Sequence, residues 1–195
     1  STCNTAKVTV QDLTPPTVTC HSAIIYLDVL GSATLASTTI NNGSTDACGI
    51  DSYQISKDNV TFANTLTYGC TEVGLRDVYL KVTDKNGNSA VCQTTVTVTD
   101  DIDPIAVCNP ITIQLGVGGT YSLTQANIDA ISLGSSDNCS SALARVVTPS
   151  TFNCSNVGSN QVTLQITDPD GNHDECTTTV TVQDKLAPTA ICQNI

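Results

Sequence analysis

The chain has 195 residues, with 18 acidic against 7 basic side chains and a net charge of −11. This length allows one or two domains, and the negative charge makes nucleic acid and anionic membrane surfaces poor partners. No apolar run approaches the ~20 residues that span a bilayer, so membrane insertion is not expected. Ten cysteines without a single Cys-x-x-Cys pair predict disulfides rather than zinc, and therefore an extracellular protein.

In chain order, the sequence repeats one unit. Three cysteines recur at intervals of 88 and 84 residues, and three aspartates repeat both intervals: Cys20, Cys108, Cys192 and Asp12, Asp100, Asp184. Residues 1–14 are expected to be the last strand of a truncated preceding module, and residues 186–195 the first strand of a truncated following one. Residues 15–100 and 101–185 are expected to be two whole modules, arranged end to end. The chain is therefore expected to be an excerpt of a longer array.

The second half of each module predicts a β-hairpin. Val78, Leu80 and Val82 alternate with polar residues, and the returning strand places Cys92 and Val96 on one face. The segment "NGN" between the strands, and "DGN" in the second module, supply the residues of a tight turn. Short alternating strands in a unit of this length predict an all-β fold of tandem immunoglobulin-like β-sandwich modules. The only segment compatible with a helical turn is "TQANIDAISLG", residues 124–134.

The cysteines are expected to staple modules whose cores contain few aromatic side chains. Four cysteines in a module permit three pairings. Because the first and last strands of such a sandwich begin at the same end, we predict the bonds Cys20–Cys92 and Cys108–Cys176. The remaining cysteines are then predicted to pair as Cys48–Cys70 and Cys139–Cys154. Cys3 and Cys192 are predicted to bond only to residues outside the chain.

Several spaced motifs give the chain a family resemblance. They are "DAC" or "DNC", then "C-x-x-VG", then "V-x-L-x-(V/I)-TD-x-(N/D)-GN", and finally "C-x-x-x-V-T-V-x-D-x-x-x-P". Together they cover nearly all of the chain, and they resemble the hyalin-repeat-like immunoglobulin modules of large repetitive adhesins on gliding Bacteroidota. The resemblance implies export by a type IX secretion system and a place on the cell surface. It also implies a structural role, as a stalk or filament repeat whose partners are neighbouring modules, other copies or a surface ligand.

Two other functions stay open. The loops of one module could bind a glycan or protein ligand directly, or the chain could be an accessory domain of a secreted enzyme. The five tyrosines do not recur at equivalent positions, which argues against a repeated aromatic platform for ligands. Catalysis by the chain itself is not expected, because it has no Gly-x-Ser-x-Gly elbow, phosphate-binding glycine loop or repeated histidine.

Acidic and amide side chains are predicted to meet at the N-terminal end of each module. In the first module these are Asp12, Asp46, Asp84, Asn86 and Asn88; in the second they are Asp100, Asp101, Asp103, Asp137, Asn138, Asp168, Asp170 and Asn172. Calcium takes about six to eight oxygen ligands of these kinds. The same residues are also ordinary turn formers. The sequence therefore allows two interpretations, calcium sites or polar turns.

Overall fold

A computed structural model of the chain describes residues 7–188. The chain divides into two compact units, Ser1–Asp100 and Asp101–Ile195. The expected outer pieces show no strand in the described part, where residues 7–16 and 184–188 are irregular. Cys3 and Cys192 lie outside the described residues, so their predicted bonding stays a prediction.

The first unit is a sandwich of a four-stranded and a two-stranded sheet. Its larger sheet has the strand order β1-β6-β5-β3, and β2 pairs with β4 to form the smaller one. The elements are β1 (Ala23–Tyr26), β2 (Ser32–Ala36), α1 (Ser37–Ile40), β3 (Ile50–Ser56), β4 (Thr65–Gly69), a 3-10 turn (Cys70–Glu72), β5 (Gly74–Asp84) and β6 (Ser89–Thr99).

The second unit repeats this topology. Its sheets have the orders β7-β12-β11-β9 and β10-β8. The elements are β7 (Ile111–Gln114), β8 (Thr120–Ser122), α2 (Gln125–Ile131), β9 (Ala144–Thr148), β10 (Thr151–Asn153), a 3-10 turn (Cys154–Asn156), β11 (Gly158–Thr167) and β12 (His173–Gln183). The prediction of an all-β fold of tandem immunoglobulin-like modules is confirmed.

The helical turn predicted in residues 124–134 is α2, which begins with a capping box between Thr124 and Asn127. The helix α1 was not predicted. Its sequence "STTI" has no side-chain cap and contains β-branched residues that disfavour helix. Ile40 at its end is fully buried, so tertiary packing rather than local preference accounts for α1.

Each module is closed by its first strand pairing in parallel with its last. Ala23 of β1 lies opposite Val96 of β6, and β7 pairs with β12 in the same way. Parallel strands start from the same end of a sheet, which brings the cysteines near those starts together. The structure contains both predicted outer bonds, Cys20–Cys92 and Cys108–Cys176, with Cα–Cα distances of 6.3 Å and 5.9 Å.

The core of each module lies between its two sheets. From Val78 to the end of β5 every second side chain is buried, and Val78, Leu80 and Val82 are fully inaccessible to solvent. In the first module, Leu35 and Tyr68 on the smaller sheet are buried as well. Burial of one such apolar side chain contributes about 1.5–3 kcal/mol, so the alternating strands stabilise the sandwich.

The predicted inner bonds Cys48–Cys70 and Cys139–Cys154 are wrong. Cys48 and Cys154 are exposed free thiols, and Cys70 and Cys139 are disulfide-bonded to other partners. The pairing register explains the error. Cys48 precedes Ile50, which lies opposite the end of β5 at Asp84, whereas Cys70 precedes the start of β5.

The length of β5 separates the two cysteines by about 33 Å, at roughly 3.3 Å per residue. A disulfide requires Cα atoms within about 7 Å. The second module has the same arrangement, because Cys139 precedes β9 and Cys154 precedes β11, and β9 pairs with the far end of β11. No bond between the second and third cysteines of one module can form.

Replacement of Cys108 and Cys176 by serine tests the closing bond. The bond joins residues separated by 68 positions, so its loss should lower the free energy of unfolding by about 4 kcal/mol in the chain-entropy model. Urea unfolding followed by circular dichroism measures the change. The matched control is Cys154→Ser, which removes a free thiol and should change stability by less than about 0.5 kcal/mol. Equal stability of the double variant and wild type would show that packing alone closes the module.

Candidate metal centre

The turn of each long hairpin is built around a buried carboxylate. In the first module, Oδ1 of Asp84 accepts hydrogen bonds from the backbone N–H groups of Asn86 and Asn88, both at 2.8 Å. Its Oδ2 accepts one from the side-chain amide of Asn88, also at 2.8 Å. Asp168 makes the equivalent bonds to Asn172 in the second module. Both aspartates are buried, at 1% and 6% exposure. Both carboxylate oxygens of each aspartate therefore accept hydrogen bonds within the hairpin turn.

Burial acts to raise the pKa of the Asp84 carboxyl group. Hydrogen bonds from Asn88, Asn86 and Gly87 outweigh that effect and lower its pKa below the usual value. The hairpin thus holds this side chain in its charged form, and the negative charge stays at this end of the module.

The motifs "DAC" and "DNC" are turns of a second kind. Oδ1 of Asp46 accepts hydrogen bonds from the N–H groups of Cys48 and Gly49 at 2.8 Å and 3.0 Å. Oδ2 of Asp137 accepts from Cys139 and Ser140 at 2.9 Å and 2.8 Å. In each motif one carboxylate oxygen holds the loop that leads into β3 or β9.

Asp12 brings a third carboxylate to the first module. Its Oδ1 accepts a hydrogen bond from Thr14 N–H at 3.0 Å, and its backbone carbonyl accepts one from the Asn88 side chain at 3.1 Å. Asp184, its equivalent two repeats later, accepts from Leu186 N–H in the same way. The other oxygen of Asp12, Oδ2, is buried and has no hydrogen-bond partner.

These turns bring acidic groups together at the end of the module where β6 begins, which we call the acidic end. Ligand atoms of Asp12, Asp46 and Cys48 all lie within 4.8 Å of one another. Hydrogen bonding to the Asp12 carboxylate raises the pKa of the Cys48 thiol, and the Asp12 charge, desolvation and the charges of Asp46 and Asp84 raise it further. The Cys48 thiol is therefore a weaker acid than an ordinary cysteine thiol.

The acidic end of the second module lies where β12 begins. Carboxylate oxygens of Asp137 and Asp168 lie within 4.8 Å of each other. Oδ1 of Asp137 is buried without a hydrogen-bond partner, as Oδ2 of Asp12 is in the first module. Lys85, whose side chain packs over Gly49, supplies one positive charge to the first module. Its equivalent in the second module is Pro169, which supplies none.

A buried carboxylate oxygen without a donor carries a large desolvation penalty. A hard cation relieves that penalty and the repulsion between neighbouring carboxylates. The ligands present are mainly oxygens, which fit calcium better than a thiolate-seeking metal. The residues at the acidic ends therefore fit a calcium ion.

The structure does not gather every predicted ligand. Asp101, Asp103, Asp170 and Asn86 are exposed and stand outside the acid groups that form within residues 7–188. Asp100 is buried, at 4% exposure, and Asn138 is partly buried beside Asp137. Cys48 was missed as a member of the first group, because it was assigned to a disulfide. Its position two residues after Asp46 was the available signal.

No protein-family model matches the chain. A phage protein named "Uncharacterized 81.3 kDa protein", from Acholeplasma phage L2, is 27% identical over 133 residues. That match covers 67% of this chain and 18% of the phage protein, so the chain spans less than a fifth of its relative.

Solved structures resemble the chain at the level of the fold. Drosophila N-cadherin EC1-4 is 12% identical with a TM-score of 0.47, covering 89% of this chain and 50% of that one. The extracellular domain of protocadherin GammaB4 is 14% identical with a TM-score of 0.41, covering 87% and 32%. The fibronectin(III)-like modules of Clostridium thermocellum CbhA are 10% identical with a TM-score of 0.29, covering 91% and 100%.

Disulfide-bonded, immunoglobulin-like modules are characteristic of extracellular proteins, because such bonds persist in oxidising compartments. Within residues 7–188, none of the helices has the length and apolar character needed to cross a membrane.

The lowered pKa of Asp84 makes stability depend on pH. A carboxyl group whose pKa is depressed in the folded state stabilises the fold above its unfolded pKa, about 4. That contribution is lost as the pH falls through the lower, folded value. We expect Asp84→Asn to be less stable than wild type at pH 7 and to lose less stability between pH 5 and pH 2.

Urea unfolding at a series of pH values measures the effect. Asp51→Asn is the matched control, since Asp51 is an exposed carboxylate on β3. It should keep the wild-type pH dependence. An unchanged slope in Asp84→Asn would mean that the hairpin carboxylate does not couple to folding.

Proposed function

We propose that the chain is a structural repeat of a secreted bacterial surface adhesin, part of an extended stalk or filament. The observation that carries the proposal is the duplication of one whole design within residues 7–188. Both modules have the same strand order, the same closing disulfide and the same buried aspartate in the hairpin turn. Repetition of a complete unit is what a spacer requires, because each added copy extends the array. The family resemblance supports the surface location and type IX export.

Short linkers favour a stiff array. Three residues, 13–15, 101–103 or 185–187, separate each exit aspartate from the proline at the equivalent repeat position: Pro16, Pro104 and Pro188. Proline fixes φ near −65° and narrows the conformations open to a linker. The proposal is therefore a spacer that holds its far end away from the cell.

Calcium is the second part of the proposal. In the first module Asp12 and Asp46 would hold the ion. In the second, Asp137 would hold it, beside the Asp168 carboxylate. The support comes from the buried, unpartnered oxygens of Asp12 and Asp137 and from the mutual approach of Asp12 and Asp46. Bound calcium would neutralise these acids and tie the incoming segment to the turn before β3 without altering the disulfides.

Calorimetry and small-angle scattering together test the proposal. Calcium should bind with a Kd of about 0.1–1 mM, typical of extracellular modules. Chelation should shorten the maximum dimension in solution without unfolding either module, because the closing disulfides remain. Asp12→Asn combined with Asp46→Asn should weaken binding to the first module at least tenfold.

Asp51→Asn is the control for charge alone and should bind calcium as wild type does. Absence of any calcium heat, together with equal dimensions in calcium and in chelator, would contradict the calcium part. The acids would then act as turn formers, and any stiffness would come from proline and packing. A flexible chain in both conditions would contradict the spacer function itself.

A further inference from the structure

Within the described residues, the fold leaves two cysteines as exposed free thiols. Cys48 lies at the acidic end of the first module, in the loop before β3, and Cys154 lies in the 3-10 turn before β11 in the second. Because β11 begins at the end of its module opposite to the acidic end, the second cysteine and the third cysteine of a module occupy opposite ends. Both thiols are therefore accessible for a disulfide bond with a cysteine of another copy.

The surroundings of these thiols repeat closely in the other module. The sulfur of Cys154 lies 3.6 Å from the carbonyl oxygen of Gly119, and that of its equivalent Cys70 lies 3.6 Å from the carbonyl oxygen of Gly31. Cys48 donates its backbone N–H to Asp46, and its equivalent Cys139 donates to Asp137. The local backbone at each position is therefore the same whether or not the cysteine is bonded.

The bonding state is what differs. Cys70 and Cys139 are disulfide-bonded, whereas Cys48 and Cys154 are free. Cys70 is therefore not bonded to Cys48, and Cys139 is not bonded to Cys154, because Cys48 and Cys154 are free thiols. Each of these two repeat positions is therefore disulfide-bonded in one module and a free thiol in the other.

We infer that the second and third cysteines are crosslinking positions between copies of the module. Cys154 bonds to the second cysteine of a copy that follows, and Cys48 bonds to the third cysteine of a copy that precedes. The partner that the chemistry identifies is another module of this kind, and a second copy of this chain supplies one. Because the two positions lie at opposite ends of a module, the link is head to tail and builds an open chain rather than a closed dimer.

The bond forms by two thiol–disulfide exchanges with a small-molecule disulfide as oxidant. The thiolate of Cys154 attacks oxidised glutathione, forms a mixed disulfide and releases one glutathione thiolate. The thiolate of Cys48 from the other copy then attacks the Cys154 sulfur and releases the second. Two protein thiols lose two protons and two electrons, and one oxidised glutathione becomes two reduced molecules.

The test is oxidation of the full chain at high concentration in a glutathione buffer, followed by non-reducing electrophoresis and peptide mapping. Equal amounts of ¹⁴N- and ¹⁵N-labelled chain identify bonds between molecules. We expect a ladder of covalent oligomers that contains a mixed-isotope Cys48–Cys154 peptide. Cys48→Ser and Cys154→Ser should each give at least tenfold less of this ladder alone, whereas an equal mixture of the two should give dimers.

Three results would overturn the inference. Cys48 and Cys154 could both remain open to alkylation after oxidation of the wild-type chain. Cys154→Ser alone could form dimers through Cys48–Cys48 bonds, which would mean unselective oxidation. The variant lacking both thiols could form the same ladder, which would assign the crosslinks to other cysteines. Calcium binding at Asp137 in the second module does not involve Cys48 or Cys154, so the crosslink and the metal site can fail separately.

Discussion

The parallel pairing of the first strand with the last is the constraint on which each module depends. It sets the closing disulfide, because Cys20 and Cys92 stand near the starts of paired strands. It also explains why acids meet at one end. The β5–β6 turn lies where β6 begins, and the incoming chain before β1 arrives at that same end. Asp12 and Asp84 are therefore brought to one place by the closure of the fold rather than by attraction between like charges.

Polar turns and metal ligands prove to be compatible interpretations of the same aspartates. Asp46 and Asp137 each use one oxygen to hold a loop, and Asp84 and Asp168 spend both oxygens on their hairpins. The aspartates differ in whether one carboxylate oxygen remains without a hydrogen-bond donor. Only where a second oxygen is buried without a donor, as in Asp12 and Asp137, does the fold leave a requirement that a cation would meet.

Alternation of apolar residues was enough to predict the long hairpins, and the common starting end of the first and last strands was enough to predict the outer disulfides. Both depend on local periodicity or on the ends of strands. The inner disulfides failed because their geometry depends on the register between β3 and β5, which places Cys48 and Cys70 at opposite ends of the sheet. The helix α1 depends on burial of Ile40, which local sequence does not reveal. Sequence also could not show that one carboxylate oxygen of Asp12 or Asp137 accepts backbone hydrogen bonds while the other has no donor.

A crystal structure of the chain grown with terbium, a calcium substitute with strong anomalous scattering, would test the account most directly. The account predicts an anomalous peak bound by Oδ2 of Asp12 at a distance of about 2.3–2.6 Å, as for calcium, with Asp46 in the same coordination shell. Asp84 should keep its hairpin hydrogen bonds in that structure. A metal-free site in which a water molecule or an N–H group donates to Oδ2 of Asp12 would contradict it.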